Sequence, residues 1–222
     1  MNKLNHVAFI MDGNGRWGQK KKGGRNFGHI NGVKTVKKIV EYSIKSKIPV
    51  ITFYVFSTEN WKRPKSEIKF LFNLITSYFN KELNNVISNG IKINIMGKIN
   101  ELPTKIKNSL RKTIKKTEKN KKIVVNLAIN YGSKDEIQHA VKNIKNKISV
   151  KSIEKNLYTK HLPNPDILIR TGGHKRLSNF MLWQLAYSEI YFLDKLWPDF
   201  NNKDFRKIIN NFLNVKRNYG SI

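Results

Sequence analysis

The sequence predicts an α/β protein: one mostly parallel sheet of six strands flanked by helices on both faces. Short, strand-length apolar runs alternate with longer stretches whose apolar residues recur at helical spacing. Such alternation means right-handed crossovers and a parallel sheet. The loops richest in Gly, Arg, Asp and Ser follow the ends of strands, the edge where open α/β sheets bind ligands. No Pro-, Gly- or Ser-rich linker and no repeat divides the chain, so residues 1–222 are read as a single domain able to bury a real core.

The first strand is the apolar run Val7–Met11, entered through His6 and ending in Asp12-Gly13-Asn14-Gly15-Arg16-Trp17. Lys20–Arg25 reads as a mobile basic loop and Asn31–Ser46 as an amphipathic helix. Pro49 precedes a buried strand, Val50–Phe56, and Ser57–Pro64 forms its exit loop. Ser66 and Glu67 open a long helix to Ser88 with a broad apolar face, and Asn89-Gly90 ends it. Strands follow at Ile91–Met96 and Ile123–Asn130, separated by a lysine-rich helix that starts at Pro103 and ends near Lys119. Then come helices over Ser133–Lys147 and, more weakly, Ser152–Thr159, a strand at Asp166–Arg170 and the loop Thr171–Asn179. An irregular piece around Phe180–Tyr187, a strand at Glu189–Leu193 and a helix over Lys203–Lys216 complete the chain.

Hydrophobic content of 39% with 11% aromatic residues describes a folded chain. Without cysteine there are neither disulfides nor thiolate metal sites, which fits a reducing compartment. Val7–Met11 is too short for a signal-peptide core, and no apolar run approaches bilayer-spanning length. A cytoplasmic protein, peripheral at most to the inner face of the membrane, is expected.

The formal charge of +28 suggests nucleic acid, but its distribution argues against that partner. Only eight of the 43 basic residues are arginines; the lysines are spread along nearly every helix amid abundant Asn and Ile, as A/T-rich codon usage would produce. Attraction to anionic lipid headgroups is a secondary consequence. Five of the arginines fall in motif stretches, where their planar fork suits phosphate.

Alone, Asp12–Gly15 reads as a tight turn, since Asp-Gly and Asn-Gly are common turn dipeptides. Two further loops change its meaning. Gly13 and Gly15 allow a nest of amide groups for a diphosphate, Arg16 can grip that group, and Asp12 can hold a divalent cation over it. The second loop offers Ser57, Glu59, Asn60 and Arg63; the third offers Arg170, Arg176 and Ser178 around two glycines. Glu189 can add a second carboxylate to a metal. Two anion cradles describe an enzyme joining two phosphorylated substrates. There is no Walker loop and no Asp-Asp-x-x-Asp. Gly13, Gly15 and Gly18 have dinucleotide-fold spacing, but Arg16-Trp17 crowds that site and no acidic residue follows at the required distance.

His6–Trp17, Phe27-Gly-His29, Phe56–Pro64, Asn130-Tyr-Gly132, Ile169–Gly173, Arg176–Phe180, Trp183–Phe192 and Leu196–Phe200 together resemble the cis-prenyltransferases, most of all bacterial undecaprenyl diphosphate synthases. The resemblance spans the chain and implies repeated condensation of isopentenyl diphosphate onto an allylic diphosphate, farnesyl diphosphate being the expected starter. The product would be undecaprenyl diphosphate, a carrier lipid for cell-wall glycan synthesis.

It also implies residue roles. Asp12 would hold Mg²⁺ at the allylic diphosphate, which Gly13, Asn14, Gly15 and Arg16 would cradle, with contacts from Arg25 and His29. Arg170, Arg176 and Ser178 would bind isopentenyl diphosphate. Glu189 would complete the metal site from or near a partner's active site in a homodimer. Asn60, with Ser57 near it, is the family's candidate for assisting proton removal, although an amide is a poor base. Trp17, Trp61 and Arg63 would shape the cleft floor, Thr58, Glu59 and Leu177 would add substrate contacts, and Glu67 would support the loop. An apolar tunnel for the growing chain would be lined by the Ser66–Ser88 helix and the Val50–Phe56 strand. His174-Lys175 and Ser133-Lys134 depart from the family pattern, while Lys216–Gly220 resembles its terminal basic-aromatic segment. A catalytically silent partner subunit and a basic nucleic-acid-binding protein are the competing readings.

Overall fold

The protein is described by a computed structural model that covers residues 2–217; Asn218, Tyr219 and Gly220 of the terminal segment lie outside the described residues. The elements run β1 (His6–Ile10), α1 (Asn14–Lys20), α2 (Gly24–Lys45), β2 (Val50–Ser57), α3 (Lys65–Ser88), β3 (Ile91–Met96), α4 (Thr104–Thr117), β4 (Ile123–Tyr131), α5 (Ser133–Lys142), α6 (Val150–Glu154), β5 (Ile167–Arg170), β6 (Glu189–Phe192) and α7 (Asn202–Asn214). The strands form one six-stranded sheet, order β3-β4-β2-β1-β5-β6, and every pairing is parallel.

Because β1 sits between β2 and β5 and is wholly buried, its C-terminal end opens at the middle of the sheet. Phe9 anchors the larger face: its ring stacks on Phe53 at 5.1 Å between centroids and meets Trp197, Phe200 and Phe205 edge-on. That core takes in α2, α3, α7 and the buried side of α4. The smaller opposite core packs Phe180, Met181 and Leu185 against Ala8, Ile10, Ala128 and Leu168. The Thr117 hydroxyl accepts the Ile93 amide at 3.1 Å, so the end of α4 caps part of the free edge of β3.

Several boundaries differ from the sequence reading. Asn14–Lys20, read as loop, is a helix, and α2 begins at Gly24 rather than Asn31. Glycines explain both. A Cβ on Gly28 would stand 1.8 Å from the Asn14 carbonyl oxygen, and one on Gly18 2.1 Å from that of Gly24, so α1 and α2 pack backbone against backbone. The fifth helix stops at Lys142 instead of Lys147, where the Asn143 side-chain N–H donates to the His139 carbonyl at 2.8 Å. The weak helix shifts to Val150–Glu154, capped by Ser149, whose hydroxyl accepts the Ser152 amide. Among the described residues, no helix is long and apolar enough to cross a membrane.

His6 is fully buried between Pro163 and Thr52. Its Nδ1 lies 2.7 Å from the Pro163 carbonyl, an acceptor only, so Nδ1 carries the hydrogen and Nε2 accepts from the Thr52 hydroxyl at 2.6 Å. Burial lowers its pKa from 6.5 to about 4, against the raising effect of the Pro163 bond. Between those values the unfolded chain binds a proton that the folded chain refuses, so stability falls as pH drops through this window. Urea melts should show the parent protein losing about 2 kcal/mol more than His6→Gln between pH 7 and pH 5; parallel pH profiles would refute the assignment.

Candidate active site

The polypeptide leaves β1 at Met11 and turns at Gly13, whose φ of 107° suits glycine and whose Cβ would meet the Leu196 side chain at 2.7 Å. The carbonyl of Asp12 is held from two sides, by the Thr171 hydroxyl at 2.8 Å and the Trp197 amide at 3.0 Å. Its carboxylate is therefore fixed at the rim. Arg16 Nη2 donates to Oδ1 at 3.1 Å and to the Gly172 carbonyl at 2.8 Å; Arg170 Nη2 donates to Oδ2 at 3.0 Å. The first turn of α1 adds backbone N–H groups that have no acceptor within the helix.

Arg170 ends β5 and is almost wholly buried. Its Nη1 also donates to the Ser178 hydroxyl at 2.7 Å and to the Arg176 carbonyl, which ties the third loop to Asp12. Glu67, in the first turn of α3, gathers the remaining cations. It takes Arg25 in a two-pronged pair at 3.0 and 3.1 Å and Arg63 at 3.2 Å. Burial pushes the Glu67 carboxyl up, but the Arg25 hydrogen bonds and the Arg25 and Arg63 charges outweigh it and hold the group below the usual range. The imidazole of His29, 3.4 Å from the same carboxylate, is pushed below its ordinary value by burial, with the Glu67 charge opposing.

In the second loop the Asn60 amide oxygen accepts the Ser57 backbone N–H at 3.2 Å. Asn179 braces second and third loops together: its side-chain N–H donates to Glu59 at 2.8 Å and its side-chain oxygen accepts the Lys134 amide at 2.9 Å. Tyr54 reaches both the Tyr131 and Ser178 carbonyls. Asn179 and Tyr54 escaped the list of candidate residues. The signal for Asn179 is its side chain in a Gly-, Ser- and Asn-rich stretch, where asparagine tolerates the φ of 61° that it adopts; Tyr54, inside a strand, gives none.

These groups line one polar cavity of about 640 Å³, within the range usual for small-molecule sites. It brings together Asp12, Gly13, Asn14, Gly15, Arg16, Arg25, His29, Ser57, Glu59, Asn60, Arg63, Arg170, Arg176 and Ser178. A second, apolar cavity lies between α2, α3 and the sheet, lined by Val36, Val40, Leu71, Ile75, Phe79 and Leu127. The two share Met11, Asn14, His29, Val55 and Leu71, and the apolar one extends to Asn85, Asn89 and Ile91.

Five expected site residues stand elsewhere. Trp17 projects from α1 onto Phe27 and donates to Asp199 at 2.7 Å. Trp61 donates to Asn130 at 2.8 Å and packs on Phe56 and Phe72, away from the floor of the polar cavity. Thr58 lies against Gly132, and Leu177 packs on the smaller core. Glu189 begins β6, in register with Ile167, whereas the pocket lies at the other end, where Ile10 pairs with Arg170. Within one chain Glu189 faces Arg217 at 3.8 Å and is not brought to Asp12.

Among the described residues no cluster of three or more His, Cys, Asp or Glu could by itself hold a metal. A single rim carboxylate beside arginines able to grip phosphate nonetheless fits Mg²⁺, which commonly takes one or two carboxylates and completes its shell with substrate phosphates and water. Two buried polar atoms around the cavity, Asn14 Oδ1 and Arg170 Nε, lack a hydrogen-bond partner, and His29 Nε2 has only the Glu67 carboxylate at 3.4 Å. Orphaned groups concentrated on one cavity mark it as built for a ligand.

The undecaprenyl diphosphate synthase family model of prenyltransferases matches residues 10–220. An isoprenyl transferase of Oceanobacillus iheyensis is 44% identical over 98% of this chain and 90% of its own length. A ditrans,polycis-undecaprenyl-diphosphate synthase of Pasteurella multocida, (2E,6E)-farnesyl-diphosphate specific, is 42% identical over 97% of this chain and 94% of its own. The crystal structure of lavandulyl diphosphate synthase from Lavandula x intermedia, in complex with dimethylallyl diphosphate, superposes with a TM-score of 0.93 at 28% identity and 98% coverage of both chains.

Since the first turn of α1 rests on the bare backbone of α2, Gly28→Ala should push the two apart and widen the cradle. Titration calorimetry with inorganic pyrophosphate is expected to show affinity lowered about tenfold or more, from loss of at least one charge-assisted hydrogen bond, with helical circular dichroism retained. Unchanged affinity would refute this geometry.

Proposed function

The chain belongs to the undecaprenyl diphosphate synthase family of prenyltransferases, and from that premise we propose that it adds isopentenyl diphosphate repeatedly to an allylic diphosphate, starting from farnesyl diphosphate. The product in this reading is undecaprenyl diphosphate, a carrier lipid for cell-wall glycan synthesis. One observation supports it: Asp12 pairs with arginines of the first and third loops in a cation-rich cavity that shares five lining residues with an apolar one.

The allylic diphosphate lies over Gly13–Arg16 with Arg25 and His29 beside it. Isopentenyl diphosphate takes Arg170, Arg176 and Ser178. In each round the allylic C–O bond breaks and diphosphate leaves with the electron pair. The isopentenyl double bond attacks the allylic carbon, and a proton is lost from the adjacent carbon to give a cis double bond and a chain five carbons longer. The chain's own contribution is to stabilise charge on the departing group and to hold the two carbons within reach. When bound, Mg²⁺ supplies a Lewis acid on the diphosphate oxygens, with Asp12 as its protein ligand. With Asp12 holding the ion, Arg16 and Arg170, which pair with that carboxylate in this structure, would be left to donate to phosphate oxygens.

Asn60 acts as an orienting group. Its amide oxygen is committed to Ser57, and an amide is too weak a base, so a diphosphate oxygen or water accepts the proton. The apolar cavity between α2 and α3 takes the growing chain, and the whole chain serves as one catalytic domain. A homodimer is supported by β6, an edge strand with Ile190 and Phe192 exposed; in such a dimer Glu189 would serve its partner's metal. The enzyme is placed in the cytoplasm, peripheral to the inner face of the membrane.

The test is incorporation of labelled isopentenyl diphosphate into butanol-extractable lipid. Asp12→Ala, a rim change outside the apolar core, is expected to abolish it while the native circular dichroism is retained; retained turnover would refute the metal assignment. Arg170→Lys keeps the charge but loses the fork that joins Asp12, Ser178 and Arg176. It should lower kcat/KM for isopentenyl diphosphate by about 10- to 150-fold, the worth of one charge-assisted hydrogen bond, and unchanged kinetics would remove the second cradle.

A further inference from the structure

Within the lysines spread along nearly every helix, one stretch is denser than the rest. Residues 105–122 hold nine cations and a single carboxylate, Glu118, a net +8 of the chain's +28 in 18 residues. They form α4 and the turn into β4. The helix buries Ile106, Leu110, Thr113 and Thr117 and turns Lys105, Arg111, Lys112, Lys115 and Lys116 outward; Lys119, Lys121 and Lys122 continue that exposed face. Among the described residues, no ion pair engages any of these cations. Such a density of unneutralised charge opposes folding of an isolated domain and is relieved by an anionic partner.

Its position narrows the partner. The turn is fastened to the far end of the apolar cavity: the Lys122 amide donates to the Gly90 carbonyl at 3.0 Å, and the Asn120 side chain donates to that of Ile91 at 2.8 Å. Ile91 and Asn89 line the cavity there, and Asn89 is exposed. The lining of the apolar cavity thus includes residues of the polar pocket, Met11 and His29, and residues beside the lysine-rich turn, Asn89 and Ile91. Eight of the nine cations are lysine, which acts as a point charge on diffuse anionic surfaces, and no aromatic residue lies between 105 and 122 to stack on a base.

We propose that the outward face of α4 and the 118–122 turn form the docking surface for an anionic lipid bilayer, setting the far end of the apolar cavity against the membrane. The inference rests on the reading of the product as a long polyprenyl chain, which is insoluble in water and must pass from that cavity into lipid.

The test is co-flotation of the full chain with vesicles of phosphatidylglycerol and phosphatidylcholine, or of phosphatidylcholine alone, at low and high salt. Binding is expected only to the anionic vesicles and to fall with salt. Combined Lys115→Glu, Lys119→Glu and Lys122→Glu should weaken it by about tenfold or more, whereas Lys142→Glu, Lys145→Glu and Lys151→Glu, an equal change of charge elsewhere, should leave it within about twofold. Equal losses in both variants, or none in the first, would overturn the proposal. So would unchanged vesicle binding with loss of binding to mixed-sequence DNA or RNA, which would make the face a nucleic-acid surface. Turnover of isopentenyl diphosphate in detergent is read separately: both variants should keep it, and its absence in the parent protein would defeat the proposed function without touching the docking result.

Discussion

One carboxylate between two guanidinium groups holds this site in register. Asp12 leaves the central strand of the sheet, Arg16 the helix that follows it, and Arg170 the end of the neighbouring strand; all three meet within about one hydrogen-bond length. The arrangement binds the first and third loops without an apolar contact. It also keeps the almost wholly buried Arg170 neutralised until an anion arrives. An anion entering the cavity would therefore replace an existing partner of each arginine rather than meet a bare buried charge.

The same economy governs the other side of the pocket. Glu67 collects Arg25 and His29 of α2 and Arg63 of the second loop around one side chain, so groups from two segments are already oriented. Arg25 lies across Gly15, where a Cβ would meet its guanidinium at 2.7 Å, and Arg16 lies across Gly172 at 2.6 Å. Close approach of backbone and guanidinium is what the glycines of both loops provide. Preorganised donors of this kind account for most of what a protein can add to the loss of a diphosphate.

Direction follows from the sheet. A parallel sheet puts every strand end on one edge, so polar chemistry collects there and the apolar interior extends toward the opposite edge. The cavity between α2 and α3 follows that axis, from Met11 and His29 to Asn89 and Ile91. Side chains of α3 such as Leu71 and Phe79 belong to the core and line this cavity as well.

The alternation of short apolar runs and amphipathic stretches determined the six-stranded parallel sheet, and strand polarity then placed Asp12, Ser57 and Thr171 on one rim, because those residues follow strand ends whatever the packing. Arginine and glycine in those loops pointed to residues that line one cavity, since their chemistry is local. Only the tertiary structure decided the rest. Asn14–Lys20 is helical because α2 offers it a bare glycine backbone, and such a short helix has little stability of its own. Trp17 and Trp61 turn from the pocket because Asp199 and Asn130 take their indole N–H groups, partners distant in sequence. Glu189 stands at the opposite edge from Asp12 because it begins a parallel strand, and strand order and register, which no spacing encodes, fix where that strand lies.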